Sequence, residues 1–207
     1  MFHFACHRPI PITQATGTLW LKMQSSSVSG QFYAQAFSKA PDVLKLEITN
    51  FLGGTEALIT ARDQHFEIMR GSQRSRSMFN SNTWAGIPLS WSIDLILGRI
   101  PCPSIDQGEW VLEQKDAMTL VIEQRPGSPG SQVFEYHFAG LQDRLWPESL
   151  RWYRPHSSEP PVSFSFSHPE PSTFSPLHWE ARTSQGVLQV RWRERQIQVS
   201  ESPSLVH

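Results

Sequence analysis

Most of this chain is written in short alternations of apolar and polar residues. Thr18–Gln24 puts Leu19, Leu21 and Met23 on one face and Trp20 and Lys22 on the other, and Gln31–Phe37 sets Phe32, Ala34 and Ala36 against Tyr33, Gln35 and Phe37. Leu44–Ile59 holds two more runs. Leu44, Leu46 and Ile48 oppose Lys45, Glu47 and Thr49, and the alternation resumes at Thr55 through Ala57 and Ile59. A period of two places successive side chains on opposite sides of a strand, so each run predicts a strand with one buried face. His65–Met69, with Phe66 and Ile68 aligned, is a fifth.

The alternation then lapses. Residues 71–82 are mostly polar, serine-rich and partly basic, and read as a surface loop. Ile87–Gly98 carries the chain's one helical pattern: Pro88 suits the first turn, Ser90 is a candidate cap, and Gly98 and Pro101 stop it. Its polar edge is confined to Ser90, Ser92 and Asp94, so so apolar a helix must be covered on more than one side. Strands resume at Trp110–Gln114 and Met118–Glu123, where Met118, Leu120 and Ile122 align, and at Val133–Ala139, where Phe134, Tyr136 and Phe138 do. Leu150–Tyr153, Val162–Ser167, Leu177–Arg182, Val187–Trp192 and Gln196–Val199 complete the set.

About eleven strands joined by short turns predict a mainly β fold: one large antiparallel, incompletely closed barrel, with a short helical lid. A sheet that wide leaves an interior its own side chains do not fill, so an apolar cavity suited to a greasy ligand is expected. The predicted organisation is a leader over residues 1–15 and one domain over 16–207.

Composition narrows the function classes. The 207 residues carry a formal net charge of −1, which gives no electrostatic case for nucleic acid. No run approaches the length of a membrane-spanning helix. The sequence lacks GxSxG, HExxH, P-loop and GxGxxG motifs, and its eight histidines are dispersed, so neither an enzyme nor a metal site is expected. The two cysteines, Cys6 and Cys102, leave a disulfide open. Phe4-Ala5-Cys6 also places a cysteine after a small residue, as at a bacterial lipoprotein cleavage site, which makes Cys6 a candidate lipid anchor. Tryptophans recurring within strands keep a second reading open, a scaffold or carbohydrate-binding module. The tip Asn50-Phe51-Leu52-Gly53-Gly54 is the oddest stretch: the glycines suit a turn, but two large apolar residues there are either tucked under a neighbouring loop or aimed at a membrane or partner.

Thr49-Asn50-Phe51-Leu52-Gly53-Gly54-Thr55-Glu56 resembles the hairpin motif of the bacterial outer-membrane lipoprotein receptor LolB family. Gly86-Ile87-Pro88-Leu89, followed by Ile96-Leu97-Gly98 and Pro101, resembles that family's helix segment, and Gly30-Gln31-Phe32 matches its second strand. The resemblance covers roughly residues 16–104 and implies an open barrel of the LolA/LolB type that binds acyl chains without catalysis or cofactor. The implied cavity is lined by Leu19, Leu21, Phe32, Ala34, Leu44, Leu46, Ile48, Phe66, Ile68, Met118, Leu120, Ile122, Phe134, Tyr136 and Phe138. Leu89, Ile93, Ile96 and Leu97 would form the lid, and Phe51 and Leu52 the membrane-contact loop. Cys6 would match the family's lipid anchor. The implied partners are lipoprotein acyl chains or another lipid, a periplasmic carrier of the LolA type, and the inner leaflet of the outer membrane of a Gram-negative bacterium, with the protein acting as a monomer.

Overall fold

The computed structural model describes residues 12–26, 29–50, 52–62, 65–70, 73–79, 83–103, 109–125, 130–141 and 144–199. Six strands come first: β1 (Ile12–Gln24), β2 (Ser29–Lys39), β3 (Val43–Thr49), β4 (Thr55–Arg62), β5 (His65–Arg70) and β6 (Gln73–Phe79). A small hairpin, β7 (Thr83–Trp84) and β8 (Ile87–Pro88), leads into helix α1 (Leu89–Leu97). Then come β9 (Trp110–Gln114), β10 (Thr119–Gln124), β11 (Val133–Leu141), β12 (Arg144–Tyr153), β13 (Val162–Pro169), β14 (Pro176–Thr183) and β15 (Gly186–Val199).

Thirteen of these strands form one antiparallel sheet in the order β6-β5-β4-β3-β2-β1-β15-β14-β13-β12-β11-β10-β9. The expected open antiparallel barrel with a short helix is what the chain adopts. Its connectivity is two meanders welded at the middle, because the first strand pairs with the last along twelve register positions from Ile12↔Val199 to Gln24↔Val187. The free edges are therefore β6 and β9, the two strands that flank the hairpin and helix in sequence. The segment that carries the hairpin and α1 thus links the two free edges.

Three departures from the sequence pattern have local causes. Residues 73–79, expected within a loop, form β6, whose polar sequence shows no alternation but pairs with β5 from Phe66↔Phe79 to Arg70↔Gln73. Val187–Trp192 and Gln196–Val199, read as two runs, are one strand, interrupted by a bulge: Thr18 pairs Glu194 and Leu19 pairs Trp192, leaving Arg193 unopposed. An extra residue flips the side-chain phase, so Leu188, Val190 and Trp192 point inward and Arg195 does too. The bulge needs Gly17 opposite it, since a Cβ there would lie 2.2 Å from the Glu194 carbonyl oxygen. β12 begins at Arg144 and not at Leu150, because Pro147 sits beside a second bulge, where a missing N–H breaks no ladder bond. At the N-terminus, β1 already includes residues 12–15, assigned above to the leader.

Helix α1 lies inside the barrel against β1 and β2. Small inward residues there, Ala15, Ala34 and Ala36, let its backbone approach closely. Across the interior the distance is spanned by aromatics. The Trp91 ring lies 4.9 Å from Trp152, 5.5 Å from Phe134 and 6.2 Å from Phe164, centroid to centroid. Seven of its nine residues are buried, Ser92 among them, whose hydroxyl donates to the Pro88 carbonyl at 3.2 Å. The helix is capped at its start by Pro88 and not by Ser90, with no side-chain cap bond.

Candidate functional site

The lower end of the barrel, where β1 begins and β15 ends, is tied shut. Gly98 ends α1 in the left-handed conformation (φ 76°), its N–H donating to the Leu95 carbonyl at 3.0 Å. Its carbonyl accepts from Ser175 Oγ at 2.8 Å, and the Ser175 hydroxyl oxygen in turn accepts from Arg195 Nη1 at 2.8 Å. The Arg195 side chain is 2% exposed and pairs with Glu170 at 3.0 Å. Burial pushes its pKa down, while Glu170 opposes that shift by charge and hydrogen bond. Arg99, ion-paired to Asp94 at 3.3 Å, also donates to the Ile12 carbonyl. Ser38 Oγ holds the helix middle through the Ile93 carbonyl at 3.3 Å. Removing one partner from such a network leaves a buried charge uncompensated, which is why it resists opening.

The upper end is built differently. There the two-residue hairpin β7–β8 turns through Ala85 (φ 51°) and Gly86 (φ 80°), the double positive φ of a type I′ turn. Alanine adopts that conformation at a cost of roughly 1 kcal/mol. Thr183 Oγ1, at the end of β14, donates to the Ala85 carbonyl at 2.8 Å and so fastens the hairpin across the barrel mouth. Beneath it lies an apolar cavity of about 150 Å³, walled by Leu21, Met23, Phe32, Ile48, Ala57, Ile59 and Leu188, with Glu56 at the rim and Trp84 of the hairpin as its cover.

The β3–β4 loop rises from the same wall. Ile48 pairs with Ala57, and the next register position, Thr49↔Thr55, closes on the turn. Asn50 organises that turn. Its Oδ1 accepts from the amides of Leu52 (3.0 Å) and Gly54 (2.9 Å), and its Nδ2 donates to Glu56 Oε1 at 2.9 Å. Its backbone exchanges bonds with Gly53 and Gly54 at 3.0 and 2.9 Å. Gly53 supplies the left-handed φ of 80° that this Asn-led turn demands. The outcome is a braced loop that holds Leu52 96% exposed. Phe51 lies outside the described residues.

The predicted cavity residues divide sharply. Leu21, Phe32 and Ile48 do wall the cavity. Leu19, Ala34, Leu44, Leu46, Phe66, Leu120, Ile122, Phe134, Tyr136 and Phe138 point inward but are buried in the packed core, and Ile68 is half-buried against it. Burial also pushes the Tyr136 phenol far above its ordinary pKa, and its hydroxyl donates to the Pro101 carbonyl at 2.8 Å. Met118 is a correction: it is 43% exposed. It belongs to the turn before β10, where its N–H donates to Asp116 Oδ1 at 2.7 Å, so the strand's phase starts at Thr119 instead. The lid residues Leu89, Ile93, Ile96 and Leu97 are all buried.

Met23 continues the face of Leu19 and Leu21 in the alternation, and Ala57 and Ile59 alternate together, but neither their run nor that of Leu188 is assigned an inward face. Trp84 gave no such signal, since a two-residue strand has no period. Cys6 lies outside the described residues. Cys102 is disulfide-bonded. Among the described residues no three His, Cys, Asp or Glu side chains converge, and no helix is long and apolar enough to cross a membrane.

No family model matches the chain, and none of the curated proteins matches it. Solved structures do. A LolA superfamily protein from Nitrosomonas europaea superposes with a TM-score of 0.54 at 11% identity, over 93% of this chain and 89% of that one. A putative outer membrane lipoprotein-sorting protein domain from Vibrio parahaemolyticus gives 0.56 at 10% identity, over 92% and 88%. This is a LolA-like fold. A DUF1329 family protein from Desulfovibrio piger shares it as well, with a TM-score of 0.58 at 11% identity over 92% and 88% of the two chains. At such identities the likeness concerns the LolA-like backbone alone.

Proposed function

We propose that this protein binds the acyl chain of a lipid or lipoprotein in the bacterial envelope and passes it to a membrane without catalysis. The reading that the Leu52 loop supports best is receipt of lipoproteins from a carrier of the LolA type, and their release into the inner leaflet of the outer membrane. The observation that carries it is the pairing of Leu52, 96% exposed on a braced loop, with an apolar cavity directly beneath that loop's base. A large aliphatic side chain held in water by four hydrogen bonds to Asn50 gains nothing in the free monomer. It gains its burial energy only on entering an apolar phase.

Each methylene moved out of water contributes about 0.8 kcal/mol, so transfer needs a continuous apolar path from cavity to bilayer. The cavity of about 150 Å³ is smaller than the few hundred Å³ common for ligand sites, so on this reading it must widen to take an acyl chain. Swinging the Trp84 hairpin aside at Thr183 uncovers the cavity at the end where Leu52 stands.

The test uses two variants and two readouts. Ala57→Phe, which fills the cavity, is expected to abolish binding of a fluorescent fatty acid. Leu52→Glu is expected to keep that binding and to lose delivery of a diacylated peptide to phospholipid vesicles. Fatty-acid binding unchanged in Ala57→Phe, or delivery unchanged in Leu52→Glu, defeats the reading.

A further inference from the structure

The outer face of the sheet carries a second concavity, separate from the lipid cavity. It lies over the central weld of β1 with β15 and has a volume of about 580 Å³. Six side chains define its chemistry: Trp20, Tyr33, His178, Gln189, Arg191 and Arg193. Their register is tight. Trp20 pairs with Tyr33 on one side and Arg191 on the other, and Arg191 pairs in turn with His178. Four adjacent strands therefore place an indole, a phenol, a guanidinium and an imidazole in one row.

Several features set this row apart from ordinary surface. Arg191 and Arg193 are exposed, and among the described residues neither has a carboxylate within ion-pair distance, although Glu180 nearby is engaged by Arg182 at 2.6 Å. Arg193 is the unopposed residue of the β15 bulge, and its guanidinium lies 5.4 Å from the centre of the Tyr33 ring, which fixes its position. Bulges re-aim side chains in this way beside functional sites. Trp20 is half-buried and is left as a flat apolar platform. The Gln189 amide donates to Glu180 Oε2 at 2.5 Å, so its Oε1 remains to accept from a hydroxyl. The His178 ring is held by Ser167 Oγ at 3.0 Å.

Unpaired guanidinium forks match the oxygens of a phosphate. An indole face beside an amide acceptor matches a hydroxylated ring. We propose that this outer-face concavity is a binding site for a phosphorylated sugar-like group, its ring stacked on Trp20 and its phosphate held by Arg191 and Arg193. The same chemistry occurs on a soluble sugar phosphate and on the headgroup of a glycosylated or inositol phospholipid. The site goes beyond the acyl-chain reading and does not depend on it, since it shares no residue with the inner cavity.

The test is calorimetric titration of the full chain with glucose 1-phosphate, inorganic phosphate and glucose, at low salt. Glucose 1-phosphate is expected to bind at least tenfold more tightly than either of the others. The double variant Arg191→Gln/Arg193→Gln is expected to lose at least tenfold in that affinity with an unchanged thermal midpoint, because both side chains are exposed. Trp20→Ala is expected to bring glucose 1-phosphate down to the affinity of inorganic phosphate. Displacement of the bound sugar phosphate by phosphatidylinositol vesicles, and not by phosphatidylcholine vesicles, assigns the lipid source; failure to displace assigns the soluble one, and both uphold the site. Absence of binding, equal affinity for phosphate and sugar phosphate, or affinity unaltered in the double variant overturns the proposal. Fatty-acid binding in the double variant is expected to equal that of the parent, which keeps the outcome separate from that of the inner cavity.

Discussion

The two ends of the barrel solve the same problem, covering an apolar interior, with opposite chemistry. At the lower end, α1 fills the interior and is tied by a buried guanidinium, Arg195, to Glu170 and Ser175, with Gly98 as the point of attachment. At the upper end a two-residue hairpin with an alanine in a strained turn carries Trp84 over an unfilled cavity, fastened by Thr183. The first arrangement resists opening, because displacing it strands a charge. The second costs about one hydrogen bond to release. The lesson is directional: opening is expected at the end where Leu52 projects, so the path out of the cavity leads toward the loop.

The largest effect that would break this contrast lies at the lower end. Arg195→Met is expected to destabilise the protein by roughly 3 kcal/mol, because it leaves Glu170 without its partner inside the fold. Denaturant unfolding measures it, and a change below about 1 kcal/mol would mean that the lower end is not the anchored one. At the upper end, Thr183→Val removes the bond to Ala85 and is expected to cost about 1 kcal/mol of stability. It should also speed uptake of a fatty-acid dye in stopped flow; slower or unchanged uptake would shift the gate elsewhere. Asn50→Ala unbraces the Leu52 loop and is expected to leave global stability within about 0.5 kcal/mol, as the loop is exposed. Its signature is weaker vesicle association at unaltered fatty-acid affinity, and full retention of vesicle association would show that the bracing is immaterial.

The smallest effect concerns pH and the outer face, remote from both ends. His178 has its pKa lowered by partial burial first, then by His168 on β13 and Arg191 on β15, with Glu180 on its own strand opposing. A histidine whose folded pKa lies below its unfolded value favours the neutral form in the fold. Its contribution is therefore complete above about pH 6.5 and is lost as pH falls through the lower folded value. His178→Gln is expected to flatten the acid side of the stability curve slightly between pH 7 and 5, with no change above pH 7. An acid limb identical to the parent's would mean that the His178 pKa is the same in the folded and the unfolded chain.

Much of the architecture was legible because period-two alternation reports a half-buried strand directly. β2, β3, β4 and β13 fall where Phe32–Ala36, Leu44–Ile48, Ala57–Ile59 and Val162–Ser167 put them. The alternation failed wherever a bulge shifted its phase, at Arg193 and near Pro147, and where the strand was mostly polar, as in β6 with its Gln73–Ser77 run. The cavity was legible only in part for a further reason. Alternation says which side chains face inward, as it did for Leu46 and Phe134. It says nothing about which of those remain uncovered once α1 is seated. Trp84, the cover itself, sits in too short an element to leave any periodic trace.

By itself, then, the amino-acid sequence determined most of the strands, the inward faces away from the bulges, the single helix among the described residues and the unusual leucine at the β3–β4 turn. Each follows from local period, turn chemistry and side-chain hydrophobicity. Tertiary structure decided the rest. The pairing of β1 with β15 joins residues more than 160 positions apart and sets where the barrel stays open. The seating of α1 decides that the interior is filled at one end and hollow at the other. Whether Leu52 is hidden or presented was likewise settled in space, by Asn50 and by what stands near the loop. Burial is a property of neighbours, and neighbours that distant in sequence are brought together only by the fold.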